Sequence, residues 1–253
     1  MDVLVATNAT IIIPVYNGWE FTRACLDSVL PTLREGDAVI VANNASTDAT
    51  FENLATGRPD GLRLVNLVEN AGFAGACNAG AKWASTRDLV FLNNDTIVYP
   101  GWLDELTYPL RKDSVGAVGP MSNFVSGEQL IASDAAPAGE MWRVGDPADL
   151  AETAANLLRN NQGIYRDTSR LVGFCLATRA STFRLVGGFS EDYGLGGYED
   201  DDYCRRLESA RLSLQIARGC FVYHHGHATF DANGLDWKAL QDEAQRVFLA
   251  RWE

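Results

Sequence analysis

The hydrophobic positions in the first hundred residues form short continuous runs, each ended by polar or glycine-containing segments. Such runs occupy 10–16, 38–42 and 89–92, and a further strand is predicted at 62–68. Runs of this length without alternation predict strands buried on both faces. Between them, helical spacing or small residues, as in 74–85, predict intervening helices. This alternation predicts an α/β fold with a mostly parallel central sheet and helices on both faces.

The second half of the chain is less regular. Residues 121–147 are rich in Gly, Pro, Ser and Ala and lack periodicity, which predicts a long loop over a ligand crevice. Further strands are predicted at 170–178 and 214–224, and helices at 199–210 and 236–252. No linker or repeat divides the chain, so we expect a single domain over 1–253.

Composition and charge restrict the function classes. The 253 residues are 47% hydrophobic, enough for one large α/β core, and the formal net charge is −12. Because Lys and Arg are scattered, a groove for nucleic acid is not expected. A small phosphorylated ligand stays compatible with this charge, since backbone amides and one divalent cation can neutralise a diphosphate.

The five cysteines are odd in number and widely spaced, without a Cys-x-x-Cys pair, which predicts reduced, packed thiols. Residues 1–10 lack the basic start and apolar run of a signal peptide. No window approaches the roughly 20 apolar residues of a membrane span. We therefore expect a cytoplasmic protein without a transmembrane segment. Peripheral association with a membrane stays open, although no Lys-rich amphipathic stretch indicates it.

Polar residues follow the predicted strands directly, where ligand crevices of such sheets lie. Asn93, Asn94 and Asp95 come after the run at 89–92. A carboxylate here suits Mg²⁺ or Mn²⁺, which prefer hard oxygen ligands and bridge phosphate oxygens. An Asx turn with a helix cap explains the tripeptide alone equally well.

Four consecutive acids, Glu199, Asp200, Asp201 and Asp202, open a predicted helix behind the glycine-rich segment 194–197. Acids in a first turn are favoured by the helix dipole, which gives a purely structural alternative. However, neighbouring carboxylates repel one another, and glycines allow close approach of a ligand. The pattern therefore also fits an acceptor site with a general base.

All three histidines of the protein, His224, His225 and His227, lie in one segment. Such clustering indicates contact with metal or phosphate, although single histidines more often lie in the core or on the surface. A zinc site has little support because no cysteine pair stands at zinc spacing. The segment 72–75 is not the Gly-x-Gly-x-x-Gly fingerprint, which argues against a dehydrogenase.

Taken in order, these segments resemble the inverting glycosyltransferase family 2, whose domain has the GT-A fold with a Rossmann-like sheet. The resemblance covers roughly 8–230 and rests on the motifs at 12–17, 41–48, 70–78, 93–95, 186–191 with 199–200, and 222–225. It implies a nucleotide-sugar-binding half at about 8–120, a less regular acceptor-binding and catalytic half at about 121–230, and a C-terminal helix at 231–253.

The resemblance also implies roles for individual residues. The donor-binding positions are Pro14, Tyr16, Asn43, Asn44, Asn70, Gly72, Asn78, Asn93 and Asn94. Asp95 and His224 correspond to the ligands of a divalent cation, Mn²⁺ or Mg²⁺. Asp200 corresponds to the catalytic base, which we expect a helix N-terminus to keep ionised. Glu199, Asp201 and Asp202 belong to the acceptor side or support the base.

The implied reaction is inverting transfer of a sugar from a nucleoside-diphosphate sugar to a hydroxyl group. The amides of Asn43 and Asn44 favour a uridine or thymidine donor over a guanosine one. The segment 119–123 is similar to that of bacterial enzymes that glycosylate surface polysaccharides or proteins, so the acceptor is expected to be a glycan, a lipid-linked glycan or a protein. Two alternatives stay open: a metal-dependent nucleotide-sugar hydrolase, and a non-catalytic subunit that binds nucleotide sugar or glycan.

Overall fold

A single curved sheet runs through both halves of the chain in the computed structural model, which describes residues 8–57, 61–131, 147–226 and 236–253. The strands are β1 Ala9–Val15, β2 Ala38–Asn43, β3 Leu62–Asn66, β4 Asp88–Leu92, β5 Thr96–Val98, β6 Val115–Met121, β7 Tyr165–Thr168, β8 Cys175–Arg179 and β9 Ser213–His224. The helices are α1 Trp19–Val29, α2 Thr50–Thr56, α3 Gly72–Ala81, α4 Trp102–Thr107, α5 Pro147–Asn161, α6 Ala180–Leu185, α7 Glu199–Ser209 and α8 Trp237–Trp252.

The predicted α/β class with a mostly parallel sheet is confirmed. The strand order is β3-β2-β1-β4-β8-β6-β9-β5, with β7 also paired to β9. Strands β1 to β4 are mutually parallel, and β6 and β9 run in the same direction as they do. Strands β5, β7 and β8 run against them. The carboxyl ends of β4 and β9 therefore lie at the same edge of the sheet.

Helices cover both faces of this sheet, as predicted. Ile11 and Ile13 of β1 pack into one buried cluster together with residues of α1 and α4. Ile12, between them, packs into a second cluster with residues of α3, α6 and α7. The alternation of side chains along a strand thus divides one apolar run between two cores. None of the described helices is long and apolar enough to cross a membrane.

The predicted strand at 170–178 is partly wrong, because β8 begins only at Cys175. The backbone N–H groups before it bond to side chains instead of a neighbouring strand. Val172 donates to Gln129 Oε1 at 2.8 Å, and Gly173 donates to Asp200 Oδ2 at 2.7 Å. This segment is therefore held as a loop against α7.

The predicted loop at 121–147 begins and ends in regular structure. Met121 closes β6, Ser122 forms an isolated bridge with Leu130, and α5 begins at 147. Residues 132–146 lie outside the described residues, as does His227. Elements that the sequence pattern did not predict are β5, β6, β7, α4, α5 and α6.

Candidate active site

A cleft of about 400 Å³ opens where β4 and β9 end. Its lining brings together Asn93, Asp95, His224 and three acids of α7, namely Glu199, Asp200 and Asp201. Residues far apart in the sequence thus meet at the carboxyl edge of the sheet, where ligands of open α/β sheets bind. The predicted cation ligands and the predicted base share this one cleft.

Asp95 and His224 face each other at the base of the cleft. Asp95 Oδ1 lies 3.3 Å from His224 Nε2, and both side chains are largely buried. The pairing of β5 with β9 sets this contact, because Thr96 stands opposite His224 in the register. Burial alone would raise the pKa of Asp95, but the charge of the imidazole holds that pKa below its ordinary value.

The orientation of the imidazole is fixed from the other side of the ring. His224 Nδ1 lies 2.9 Å from the carbonyl oxygen of Phe124, so this nitrogen carries a proton and donates it. Asn123 binds the backbone of His224 through two hydrogen bonds of 2.8 and 3.0 Å. Phe174 stacks on the ring with a centroid distance of 4.9 Å. In a neutral imidazole, Nε2 therefore presents its lone pair to Asp95.

These groups fit a divalent cation. A carboxylate oxygen and an imidazole lone pair repel each other at this distance unless a proton or a metal ion lies between them. The side-chain oxygen Oδ1 of Asn93, which also lines the cleft, is buried without a hydrogen-bond partner. Among the residues that the structure describes, no group of three or more His, Cys, Asp or Glu side chains could hold a metal, so Asp95 and His224 form a pair only. Asp95, His224 and Asn93 therefore supply an incomplete shell that phosphate oxygens of a ligand could complete.

Asp200 is the buried carboxylate whose oxygens are each oriented by the backbone. Oδ2 accepts a hydrogen bond from the N–H of Gly173 at 2.7 Å, and Oδ1 accepts one from the N–H of Asp201 at 2.9 Å. A methyl group at Gly173 would lie 3.1 Å from the Asp200 Cβ, so a glycine there gives the carboxylate room. The group is thus held in one orientation within the cleft.

The helix N-terminus is expected to keep Asp200 ionised, and the other surroundings of this carboxyl group act against that by raising its pKa. Burial, and next the charge of Asp201, raise the pKa of Asp200 to about 6. Burial and the charge of Asp200 raise the pKa of Glu199 to about 8. Asp200 is therefore the carboxyl group of this pair that loses its proton first as the pH rises, a separation typical of paired carboxyl groups in active sites.

The other two acids of α7 are engaged in ion pairs. Arg170 donates to both oxygens of Asp201, at 2.5 and 3.2 Å. Asp202 is completely buried and accepts hydrogen bonds from Arg206 and Arg251. Asp201 therefore stays at the cleft, whereas Asp202 supports α7 from behind.

Most predicted donor-binding residues lie outside the lining of this cleft, and several of their side chains form hydrogen bonds within the protein. Asn43 donates to Asn66 Oδ1 at 2.5 Å. Asn44 donates to Asn70 Oδ1 at 2.7 Å and to the carbonyl of Gly72 at 3.1 Å. These bonds position the segments after β2 and β3, and contact of the two amides with a nucleobase stays a prediction.

The remaining donor-binding candidates are also placed by the structure. Asn78 binds the backbone of Phe189 and the Glu191 carboxylate, which ties α3 to the segment before α7. Asn94 is buried and donates to Thr22 of α1 at 3.0 Å. Pro14 lies buried in β1, and Tyr16 is half-buried just after it.

Arg170, Gln241 and Tyr198 are among the lining residues that sequence reasoning did not identify. Arg170 and Gln241 lie in segments without any motif, so no signal pointed to them. Tyr198 stands directly before the four acids and has a positive φ of 64°. A bulky residue in this conformation is rare and is visible only in the structure.

Comparison with known families gives two matches. The model of glycosyl transferase family 2 matches residues 10–175. A second model, described as the N-terminal domain of galactosyltransferase, matches residues 157–228. Together they extend over both the Asp95 segment and the acidic segment of α7.

Similar curated proteins include two from bacteria. The chain is 27% identical over 230 residues to the O-antigen biosynthesis protein RfbC of Myxococcus xanthus, covering 89% of this chain and 18% of that protein. It is 30% identical over 233 residues to the N-acetylglucosaminyl-diphospho-decaprenol L-rhamnosyltransferase of Mycobacterium tuberculosis, covering 84% of this chain and 74% of that protein.

Among solved structures, the fold is similar to that of GalNAc-T7, crystallised with UDP, GalNAc and Mn²⁺. The TM-score is 0.67 at 15% sequence identity, over 88% of this chain and 44% of the other. This likeness confirms the predicted GT-A fold.

Proposed function

Because the chain belongs to glycosyltransferase family 2, we propose that it transfers a sugar from a nucleoside-diphosphate sugar to a hydroxyl acceptor, with inversion and with help from a divalent cation. The observation that carries the proposal is the shared cleft, lined by Asp95, His224 and Asp200. One part of the cleft suits a diphosphate with its cation, and the other presents a base.

Asp95 and His224 would hold the cation, with the unpartnered Oδ1 of Asn93 beside them. When bound, Mn²⁺ or Mg²⁺ supplies the positive charge that stabilises a diphosphate leaving group. Neighbouring residues fix the orientation of His224. The backbone carbonyl of Phe124 accepts the Nδ1 proton, and the Asn123 side chain binds the His224 backbone.

Asp200 is the proposed base. As the acceptor oxygen forms its bond to the anomeric carbon, the bond from that carbon to the diphosphate oxygen breaks, and the hydroxyl proton passes to Asp200. A single displacement of this kind inverts the anomeric configuration. A base with a pKa of about 6 is ionised at neutral pH and still accepts a proton readily.

The donor and acceptor classes rest on different support. The preference for UDP or dTDP sugars over GDP sugars is supported by the sequence 41–48. The structure adds no support, because the amides of Asn43 and Asn44 donate to other residues of the protein. A glycan or lipid-linked glycan acceptor is supported by the name of the similar mycobacterial rhamnosyltransferase.

The proposal is tested by a screen of UDP, dTDP and GDP sugars, with and without Mn²⁺, that follows the melting temperature. Because a ligand that binds the folded state raises stability by mass action, we expect a UDP or dTDP sugar to raise it only with the cation present. Product analysis then distinguishes the alternatives. Sugar released to water at the same rate with and without acceptors would favour a hydrolase, and a bound donor that never turns over would favour a binding subunit.

A further inference from the structure

Gln241 of α8 lines the cleft together with Asp200, although it has no role in the proposed reaction. It stands beside Gly197 and Tyr198 in the lining, together with Glu199 and Asp200. A Cβ built on Gly197 would lie only 2.9 Å from Gln241 Nε2. The absence of a side chain at Gly197 therefore makes room for the Gln241 amide.

Helix α8 is fixed in this position by the turn of α7 that carries the base. Asp202 accepts hydrogen bonds from Arg251 and from the Trp252 indole, both at 3.0 Å. Phe248 packs against the ring of Tyr198 with a centroid distance of 5.3 Å. The side of the cleft formed by α8 is thus anchored at two points, which allows Gln241 to act from a rigid element.

Tyr198 contributes an aromatic surface on the same side of the cleft. Its left-handed backbone, with φ at 64°, is strained for a bulky residue. Strained residues persist where the surrounding structure holds them, often at ligand sites. The ring is half-buried, with Phe248 packed against it from α8 and the cleft beside it.

The charge around this surface disfavours an anionic ligand. Glu199, Asp200 and Asp201 line this part of the cleft, and Arg170 is the only Lys or Arg among the described lining residues. The guanidinium of Arg170 is already bound to both oxygens of Asp201 and to Ser126 Oγ. On this side of the cleft, a phosphate or carboxylate would meet the carboxylates of Asp200 and Asp201, and the described lining residues offer no unpaired Lys or Arg.

We propose that Gln241 and Tyr198 form an acceptor subsite for an uncharged pyranose, and that Gln241 is a specificity-determining residue within it. The apolar face of a sugar ring suits the tyrosine ring, while the amide offers both a donor and an acceptor to neighbouring hydroxyls. This inference rests on the proposed function, because it assigns the acceptor of the same transfer reaction.

The test compares Gln241→Ala with Gln245→Ala, an exposed glutamine one turn further along α8. Acceptor probes are p-nitrophenyl pyranosides, both neutral ones and the glucuronide, and donor affinity is titrated separately. Loss of two hydrogen bonds should raise the acceptor KM of Gln241→Ala about tenfold for the best neutral pyranoside. Gln245→Ala should match the wild type, and the glucuronide should be the poorer acceptor.

Three results would overturn the inference. They are equal acceptor KM values for the two variants, a glucuronide accepted as well as its neutral counterpart, and a Gln241→Ala variant whose main defect is donor affinity. A wild type that transfers sugar to another class of hydroxyl acceptor but glycosylates no neutral pyranoside would also overturn it, while the proposed function would stand. Failure of the wild type to turn over any nucleotide sugar would instead contradict the proposed function itself.

Discussion

The four consecutive acids of α7 have four different environments. Glu199 accepts a hydrogen bond from the N–H of Gly197 at 2.5 Å, Asp201 pairs with an arginine, and Asp202 is buried among cationic and aromatic partners. Asp200 alone is buried at the cleft with two hydrogen bonds from backbone N–H groups. Among the described residues, no Lys, Arg or His forms a salt bridge with its carboxylate. Differences in surroundings, not in residue type, therefore distinguish the proposed base from its neighbours.

The raised pKa of Asp200 predicts the pH dependence of transfer. The base must be deprotonated, so kcat/KM should fall as the pH drops through about 6. Replacement Asp201→Asn removes a charge that raises this pKa and also frees Arg170, which lowers it, so the acidic limb should move to lower pH. Measurement of kcat/KM over roughly pH 5 to 8 checks both points. An acidic limb that does not move in Asp201→Asn would contradict the assignment.

Much of the site could be predicted at the level of residues. Asp95 follows a predicted strand, while Asp200 lies among four acids and His224 among three histidines, from which the family resemblance selected them. Gln241 and Arg170 could not be found in this way, since a long polar side chain in a helix or loop carries no positional signal. Their position at the cleft depends on tertiary packing of α8 and of the loop before β8.

At the level of elements, the start of α3 is in close contact with the loop before α7. Gly72 has a φ of +71°, and a Cβ there would lie 2.1 Å from the carbonyl oxygen of Gly194. The N–H of Phe73 also donates to the carbonyl of Leu195 at 3.1 Å. This contact joins the predicted donor half to the acidic segment that carries the base.

Replacement Gly72→Ala should therefore destabilise the protein more than backbone strain alone explains. Gly187 provides the control, since its φ is +87° and nothing lies within 4 Å of the added Cβ. Gly187→Ala should lower the free energy of unfolding by about 1 kcal/mol through left-handed strain. Gly72→Ala should lose roughly 1–3 kcal/mol more, because it also overpacks against backbone. Urea unfolding of both variants measures the difference, and equal losses would contradict the contact.

Some strands are visible in the sequence and others are not, for physical reasons. Strands β1, β2 and β4 appear as largely continuous apolar runs in the sequence, whereas β3 includes Arg63 and Asn66 and is only partly buried. Strand β6 contains two glycines and a proline, so its strand signal is weak although every residue is buried. The segment 170–174 has an apolar pattern but bonds to side chains, and only tertiary structure reveals this.

At the scale of the whole molecule, the contact between Asp95 and His224 depends on strands that are distant in the sequence. Asp95 lies just after β4, whereas His224 is the last residue of β9, far along the chain. The antiparallel pairing of β5 with β9 brings them together. Sequence patterns could indicate both residues, but not the 3.3 Å contact between them.

The two adjacent histidines provide a matched test of this pair. His224→Ala should weaken Mn²⁺-dependent donor binding and transfer strongly, because it removes one of the proposed cation ligands. His225→Ala removes a ring that packs on Tyr223 and Phe21, so it should retain metal dependence. Donor titration at varied Mn²⁺, after chelation, compares the variants. Metal-independent transfer by the wild type, or equal effects of the two replacements, would refute the assignment.

The most direct test of the account is single-turnover transfer by Asp200→Asn, measured beside donor titration. Asparagine keeps the size of the side chain but cannot accept the proton, so the chemical step should fall by roughly 10²–10⁴-fold while donor affinity stays close to that of the wild type. Asp242→Asn, at an exposed position of α8, should react like the wild type. Normal transfer by Asp200→Asn would eliminate it as the base, and an equal loss of donor affinity would place it in the donor or cation site instead.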